Sequence, residues 1–364
     1  MNPALHGLRG FAALMVLLFH WSTFFPAVNT WLAGIKFGPS PWMNLSLPLA
    51  VGWQGVPLFF VLSAYLLTSQ WINRPLTKST LATFWKRRFL RIYPAVWFQL
   101  ACLLVFSSLI FSTAKPLHGV ELINNIVLWI HLPPTMTEPL NGVWWTLPIE
   151  LMFYLALPLL VYLQRSWSLL LVVLICLVSS LLWRIGVIWY FHGIALPEKI
   201  YIIDAIPGSL FTFSVGFFLA FIPTGISKSN FFSLLLFVCL FYFSLEYLQW
   251  EFETSYWQGS WIMVVWGPLF ACVVGAAVYL TLNSPFRLGL FTNRLLIWCG
   301  NLSFGIYLWH YPVLNALQTY WSASLDGRFG SLIALGAGLI ITLCFAATSY
   351  YLIERPLMGW GKQS

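Results

Sequence analysis

The sequence predicts an all-α integral membrane protein, a bundle of about ten transmembrane helices with both termini in the cytoplasm. Composition is the first reason. Hydrophobic residues make up 60% of the 364 and charged residues only 8%, against about 25% charged in a soluble domain. The mean hydropathy is +0.82. Patterning is the second. Apolar stretches near 20 residues recur along the chain, each long enough to cross a hydrocarbon core of about 30 Å. The third is the distribution of Lys and Arg, which gather in alternate loops.

The spans fall at roughly 9–26, 53–72, 92–113, 144–163, 168–191, 205–222, 230–248, 259–282, 299–321 and 330–352. Arg74, Lys78, Lys86, Arg87, Arg88 and Arg91 crowd the connection after the second span. Placing it inside puts Arg165, Lys228, Arg287, Arg294, Arg355 and Lys362 inside too, and leaves only Lys36, Lys115, Lys199 and Arg328 outside. The formal charge of +8 is then positive-inside bias, and nucleic acid is not an expected partner. The first stretch lacks a small-residue cleavage site and carries His20, so it reads as a retained helix. Two outer loops are long, 27–52 and 114–143. Within the second, 120–131 is too short to span and is expected to lie along the interface as a helix. The loop 249–257 is acidic. The seventh span reads as plain lipid-facing helix, and the tenth has small residues suited to close packing. No internal repeat is visible, and residues 1–364 read as one transmembrane domain with no added soluble domain. The six cysteines (102, 176, 239, 272, 299 and 344) are scattered singly, without metal-ligand or redox spacing. No metal is expected.

Against this apolar background the ionisable residues stand out. In RGFAALMVLLFH, eleven steps of about 100° bring Arg9 and His20 to one helical face, with His20 roughly 16 Å deeper. An ionisable group at mid-membrane is costly and is a functional candidate by default. His310, in FGIYLWHYP, reaches a similar depth in the ninth span, where packing against a neighbouring helix explains it as well as chemistry does. Arg87, Arg88 and Arg91 precede Tyr93-Pro94 at the cytoplasmic mouth of the third span. Arginines so spaced grip phosphates bidentately, though ordinary charge anchoring also accounts for them. Glu150, in WTLPIELMFY, can bind a hydroxylated molecule or orient a histidine, or it is a structural charge paired with Arg184. Glu354-Arg355-Pro356 closes the last span inside, and local helix termination is a sufficient explanation for the Pro.

Together these strings resemble the membrane-bound acyltransferase-3 family. RGFAALMVLLFH is similar to its Arg-x10-His opening, GVPLFFVLSAYLLT (55–68) to its second-span signature, and FWKRRFLRIYPAVW (84–97) to its Arg-x-x-Arg element. WTLPIELMFYLALPLL (145–160), SFGIYLWHYPV (303–313) and YLIERP (351–356) resemble its later elements, in the same order. Two positions depart from the pattern. Pro57 stands where the family usually has an acidic residue, and Ala64 where it has Gly. Neither touches Arg9 or His20.

The resemblance implies transfer of an acyl group, usually acetyl, from cytoplasmic acyl-CoA to a hydroxyl of an extracytoplasmic carbohydrate, free or lipid-linked, such as O-antigen or another surface polysaccharide. The setting is the cytoplasmic (inner) membrane of a bacterium. Acyl-CoA is a co-substrate, and no cofactor is held permanently. In this scheme Arg87, Arg88 and Arg91 hold the CoA phosphates and His20 is the general base, directly or through a covalent acyl-histidine. Arg9, Glu150, Tyr307 and His310 complete the centre. The rival readings are a transporter or flippase of a glycan or small solute, and a scaffolding subunit. Within the enzyme class, a secondary metabolite, a lipid or a glucan is an alternative acceptor.

Overall fold

The computed structural model describes residues 2–106, 119–191, 200–252, 261–284 and 291–363. Lys115, Lys199, Arg287, the end of the expected third span and most of the acidic loop 249–257 lie outside the described residues. Among the described residues the helices of eight or more residues are, in chain order, α1 (Pro3–Phe24), α2 (Gly55–Thr68), α3 (Lys78–Val105), α4 (Val120–Val127), α5 (Thr146–Ser166), α6 (Leu169–Tyr190), α7 (Ile206–Leu219), α8 (Lys228–Glu251), α9 (Trp261–Leu282), α10 (Arg294–Trp321), α11 (Gly327–Ser349) and α12 (Arg355–Gln363). Among the described residues, seven helical stretches are long and apolar enough to cross a membrane: Pro3–Phe24, Lys78–Val105, Gly142–Ser166, Leu169–Tyr190, Lys228–Glu251, Trp261–Leu282 and Gly327–Trp360. The stretches Gly52–Thr68 and Ile206–Leu219 are apolar but shorter. α10 is 28 residues long, and its Asn301, His310, Asn315 and Gln318 lower its hydropathy.

The chain forms two compact units. The first comprises residues 1–5, 57–81 and 147–292. Its core is an aromatic stack, with Phe213 between Phe60 at 4.6 Å and Phe153 at 4.2 Å. α2 and α7 touch backbone to backbone at Gly216, where a Cβ would stand 2.1 Å from the Val61 carbonyl oxygen. α8 buries Phe231, Val238 and Leu245, two turns apart, together with Glu246 and Gln249 near its end, and turns most of its other side chains outward.

Residues 6–56, 82–146 and 293–364 form the second unit. Its frame is the crossing of α1 and α10. A Cβ on Gly10 would lie 2.3 Å from the Leu296 oxygen, and one on Gly300 would lie 1.9 Å from the His6 oxygen. Only glycine on both sides permits this approach. α11 then packs on α10 through a face made of Gly330, Ser331, Ala334, Gly338, Thr342, Ala346 and Ser349, the small residues that the sequence pattern marked. Gly305 lies against Ala346 there, with 2.9 Å from its would-be Cβ to the Ala346 Cα. At the other end of α1, Trp21 donates to the Ser331 carbonyl at 2.8 Å and Gln318 to the Phe24 carbonyl at 3.1 Å. The α1–α10 pair is therefore fixed by a glycine contact at one end and by the Gln318 hydrogen bond at the other, while Trp21 ties α1 to α11.

Gly300→Ala is expected to lower the unfolding temperature in detergent sharply, by an overpacking cost of about 1–3 kcal/mol or more. Gly336→Ala, on an open face of α11, serves as the control. Equal melting of the two variants would contradict the close crossing.

Candidate active site

The crossing sets the register of the site. His20 follows Gly10 by ten residues, and His310 follows Gly300 by ten. Two helices that run the same way from a shared contact carry those positions to the same height, about 15 Å further on. There the imidazoles meet. His310 Nε2 lies 3.1 Å from His20 Nδ1, with ring centroids 5.0 Å apart. Each Nδ1 also faces a carbonyl of the preceding turn at 3.0 Å, Val16 for His20 and Ile306 for His310. His310 is fully buried, whereas His20 is partly exposed. Tyr311 presents an edge-on contact to His20 at 5.3 Å.

Pro312 supplies the next layer. It lacks an N–H, so the carbonyl four residues earlier, that of Leu308, loses its helical partner. Two side-chain amides replace it: Gln99 Nε2 at 2.6 Å, from α3, and Asn141 Nδ2 at 2.8 Å. Gln99 Oε1 in turn accepts from Trp144 Nε1 at 2.8 Å and from Asn141 at 3.3 Å. Gln99, Asn141 and Trp144 are all fully buried. This network seats the turn Gly142–Trp145 beside α10. Tyr307 donates its hydroxyl to the Val143 carbonyl at 2.8 Å and pairs with Thr146 at 2.9 Å. Gly142 leaves room for the Tyr311 ring, 3.2 Å from where a Cβ would stand. Tyr307 and Tyr311 thus connect the turn to the histidine pair.

The segment before this turn differs from the expected helix over 120–131. Its helix, α4, covers eight residues and ends at Leu128, in the left-handed region at φ 58°. Carbonyls in its last turn lack intrahelical partners, and α3 provides them: Trp97 Nε1 to Ile126 at 2.9 Å and the Tyr93 hydroxyl to Val127 at 3.1 Å. Asn124 and Asn125, both buried, knit the helix to the following strap through Thr135, Thr137, Glu138 and Leu140.

The basic residues of α3 divide. Arg91 Nη1 binds Glu354 Oε2 at 2.8 Å, and its guanidinium lies over Phe304 at 5.4 Å. Glu354 is buried, accepts from Ser349 at 3.3 Å and is also within the electrostatic reach of Arg9. It ends a π-helical turn, Tyr350–Glu354, a local irregularity often found at functional sites. Helix termination, which accounts for Pro356, does not account for this buried and paired Glu354. Arg88 rests 6.0 Å over the Phe84 ring, and both Arg87 and Arg88 are half-buried.

Glu150 belongs to the first unit. Its Oε1 accepts from Ser63 at 3.0 Å and from the Tyr154 hydroxyl. The expected pairing of Glu150 with Arg184 is corrected. Arg184 binds Asp204 and donates to the carbonyls of Gly208 and Met263, each at 3.2 Å. It is a buried clasp joining α6, α7 and α9.

Gln99, Asn141, Gly142, Thr146 and Tyr311 were not among the residues singled out from the sequence. One signal was present. A proline two residues after a mid-membrane histidine frees a carbonyl that some buried donor must satisfy.

Two contacting histidines, a basic cluster and a helical frame with seven apolar helices among the described residues belong to a multi-pass membrane protein. The chain belongs to the acyltransferase-3 family, whose model, described as an acyltransferase domain, matches residues 2–351. It is similar to the O-acetyltransferase OatA of Staphylococcus aureus, 27% identical over 387 residues, covering 99% of this chain and 57% of the relative. It is also similar to the peptidoglycan O-acetyltransferase OatA of Listeria monocytogenes, at 27% identity over 98% of this chain and 55% of the relative. The putative peptidoglycan O-acetyltransferase YrhL of Bacillus subtilis is 28% identical over 100% and 56%. The chain thus spans little more than half the length of these relatives. No solved structure matches it.

Gln99→Leu is expected to lower stability by about 1–3 kcal/mol, the cost of leaving a buried carbonyl and an indole N–H short of a partner. Reversing Arg91 or Glu354 singly should cost about 3–5 kcal/mol. The Arg91→Glu/Glu354→Arg double reversal should recover part of that in a thermal-unfolding cycle. Additive losses would mean that the pair is not coupled.

Proposed function

We propose that the protein is an O-acyltransferase that moves an acyl group, most simply acetyl, from acyl-CoA to a hydroxyl of a cell-envelope carbohydrate. The observation that carries this reading is the His20–His310 contact. It unites two mid-helix histidines from opposite ends of the chain in the unit that also holds Arg9, Arg87, Arg88 and Arg91. Family membership and the names of the relatives support acyl transfer to a hydroxyl, and those of the Listeria and Bacillus relatives favour a peptidoglycan-type acceptor over O-antigen.

In this scheme the chain crosses the inner membrane about ten times with both termini in the cytoplasm. Arg87 and Arg88 grip the phosphates of acyl-CoA at the inner mouth. Arg91, held by Glu354, shapes that mouth and adds positive potential, as does Arg9. The acceptor hydroxyl gives its proton to His20 while its oxygen attacks the thioester carbonyl. The C–S bond breaks, and the CoA thiolate takes the proton back. Glu150, set by Ser63 and Tyr154, is suited to hydrogen-bond sugar hydroxyls.

The test uses protein in lipid nanodiscs with acyl-CoA labelled in the acyl group. Wild type should bind CoA and transfer label to envelope glycan. His20→Ala should bind CoA but lose at least about a hundredfold in transfer. Arg88→Ala should lose CoA binding. Failure of wild type to bind CoA or to move label would overturn the reading and favour a transporter.

A further inference from the structure

The geometry assigns His310 as a positioning residue that fixes which nitrogen of His20 acts as the base. This inference rests on the acyltransferase reading for its use, but not for its geometry. A backbone carbonyl only accepts, so a ring nitrogen facing one must carry a proton. His310 Nδ1 faces the Ile306 carbonyl at 3.0 Å. A neutral imidazole has a single N–H, so His310 Nε2 presents a lone pair. That lone pair points at His20 Nδ1, 3.1 Å away. His20 Nδ1 also faces the Val16 carbonyl at 3.0 Å. One proton on His20 Nδ1 therefore serves two acceptors, and the lone pair of His20 is left on Nε2. Every other neutral combination sets a bare ring nitrogen against a carbonyl oxygen.

The same device occurs on both helices. Each histidine uses the second lone pair of its i−4 carbonyl, so the tautomers are written into helical geometry. His310 is fully buried, which shields the inter-ring bond from water. Aromatic rings also flank the pair: Phe19 and Tyr311 against His20, and Tyr307 against His310. The Tyr307 hydroxyl points to the turn, at Val143. No carboxylate is bonded to either ring among the described residues, so the acceptor behind the base is a neutral imidazole.

The proton movements balance. The acceptor hydroxyl gives its proton to His20 Nε2, and the Nδ1 proton of His20 shifts to His310 Nε2. The positive charge then rests on the buried ring, and His20 is neutral with its proton on Nε2. As the departing CoA thiolate takes that proton, the shared proton returns from His310 to His20 Nδ1. Both rings end as they began.

The test is nitrogen NMR of the full chain in nanodiscs near neutral pH, with ring-¹⁵N histidine assigned by His20→Ala and His310→Leu. The expected result is a protonated Nδ1 and an unprotonated Nε2 on His20, with a nitrogen–nitrogen coupling across the bond to His310 Nε2. An unprotonated Nδ1 on His20, or no such coupling in wild type, would overturn the inference whatever the activity. In kinetics, His310→Leu should lower kcat about a hundredfold with KM for acyl-CoA unchanged. His310→Gln, whose amide oxygen can accept from His20 Nδ1, should recover part of the loss. Equal kcat in the two variants would also overturn it. Wild type with the expected tautomers but no acyl transfer would instead sink the acyltransferase reading and leave the tautomers standing.

Discussion

The site depends on the contact of two glycines with the backbone of the opposing helix. Gly10 and Gly300 let α1 and α10 approach until a Cβ on either would strike a carbonyl. In lipid, apolar side chains gain little by leaving one apolar surroundings for another, so helices associate through close van der Waals fit. Such a fit has one register. The equal spacing from glycine to histidine on both helices converts that register into a 3.1 Å nitrogen–nitrogen contact. A slip of one helical turn would move one ring about 5.4 Å along the axis and leave the two imidazoles without each other.

Around that contact, backbone hydrogen bonding does much of the organising. Pro312 breaks the ladder of α10 one turn beyond Leu308, and the freed carbonyl draws Gln99 and Asn141 to it. Asn141 brings the Gly142–Trp145 turn, and the turn brings Val143 and Thr146 to Tyr307. A non-helical stretch is tolerated beside membrane-spanning helices only when buried in protein or facing water. Here it is buried, and its polar groups hold the aromatic residues next to the histidines. The irregularity and the setting of the histidine pair share one cause.

The sequence made a large part of this legible. Helical periodicity alone put Arg9 and His20 on one face, and counting from the inner end put His310 at a similar depth. The packing face of α11 was readable from its run of Gly, Ala and Ser. What periodicity could not reveal was partnership across long separations. Arg184 and Glu150 seemed a natural pair by charge and depth, yet Asp204 holds Arg184, because the chain returns there after α6 and local pattern does not encode where it returns. Gln99 and Asn141 escaped notice because uncharged amides carry no strong prior, and their importance comes from a carbonyl more than 160 residues away. Helix termination explained Pro356 from the sequence, but the role of Glu354 became visible only with its partner on α3.

The parallel pairing of α1 with α10 also bears on how the protein is made. The two histidines are 290 residues apart in the chain. At ribosomal speeds of about 5–20 residues per second, α1 precedes its partner by roughly 15–60 seconds. Throughout that interval Arg9 and His20 lie in a helix whose companion does not yet exist. The glycine surface that later grips α10 is equally uncovered. The nascent chain therefore needs either water near the translocon or a provisional helical neighbour on that face of α1, and α10 must displace it before the site can close.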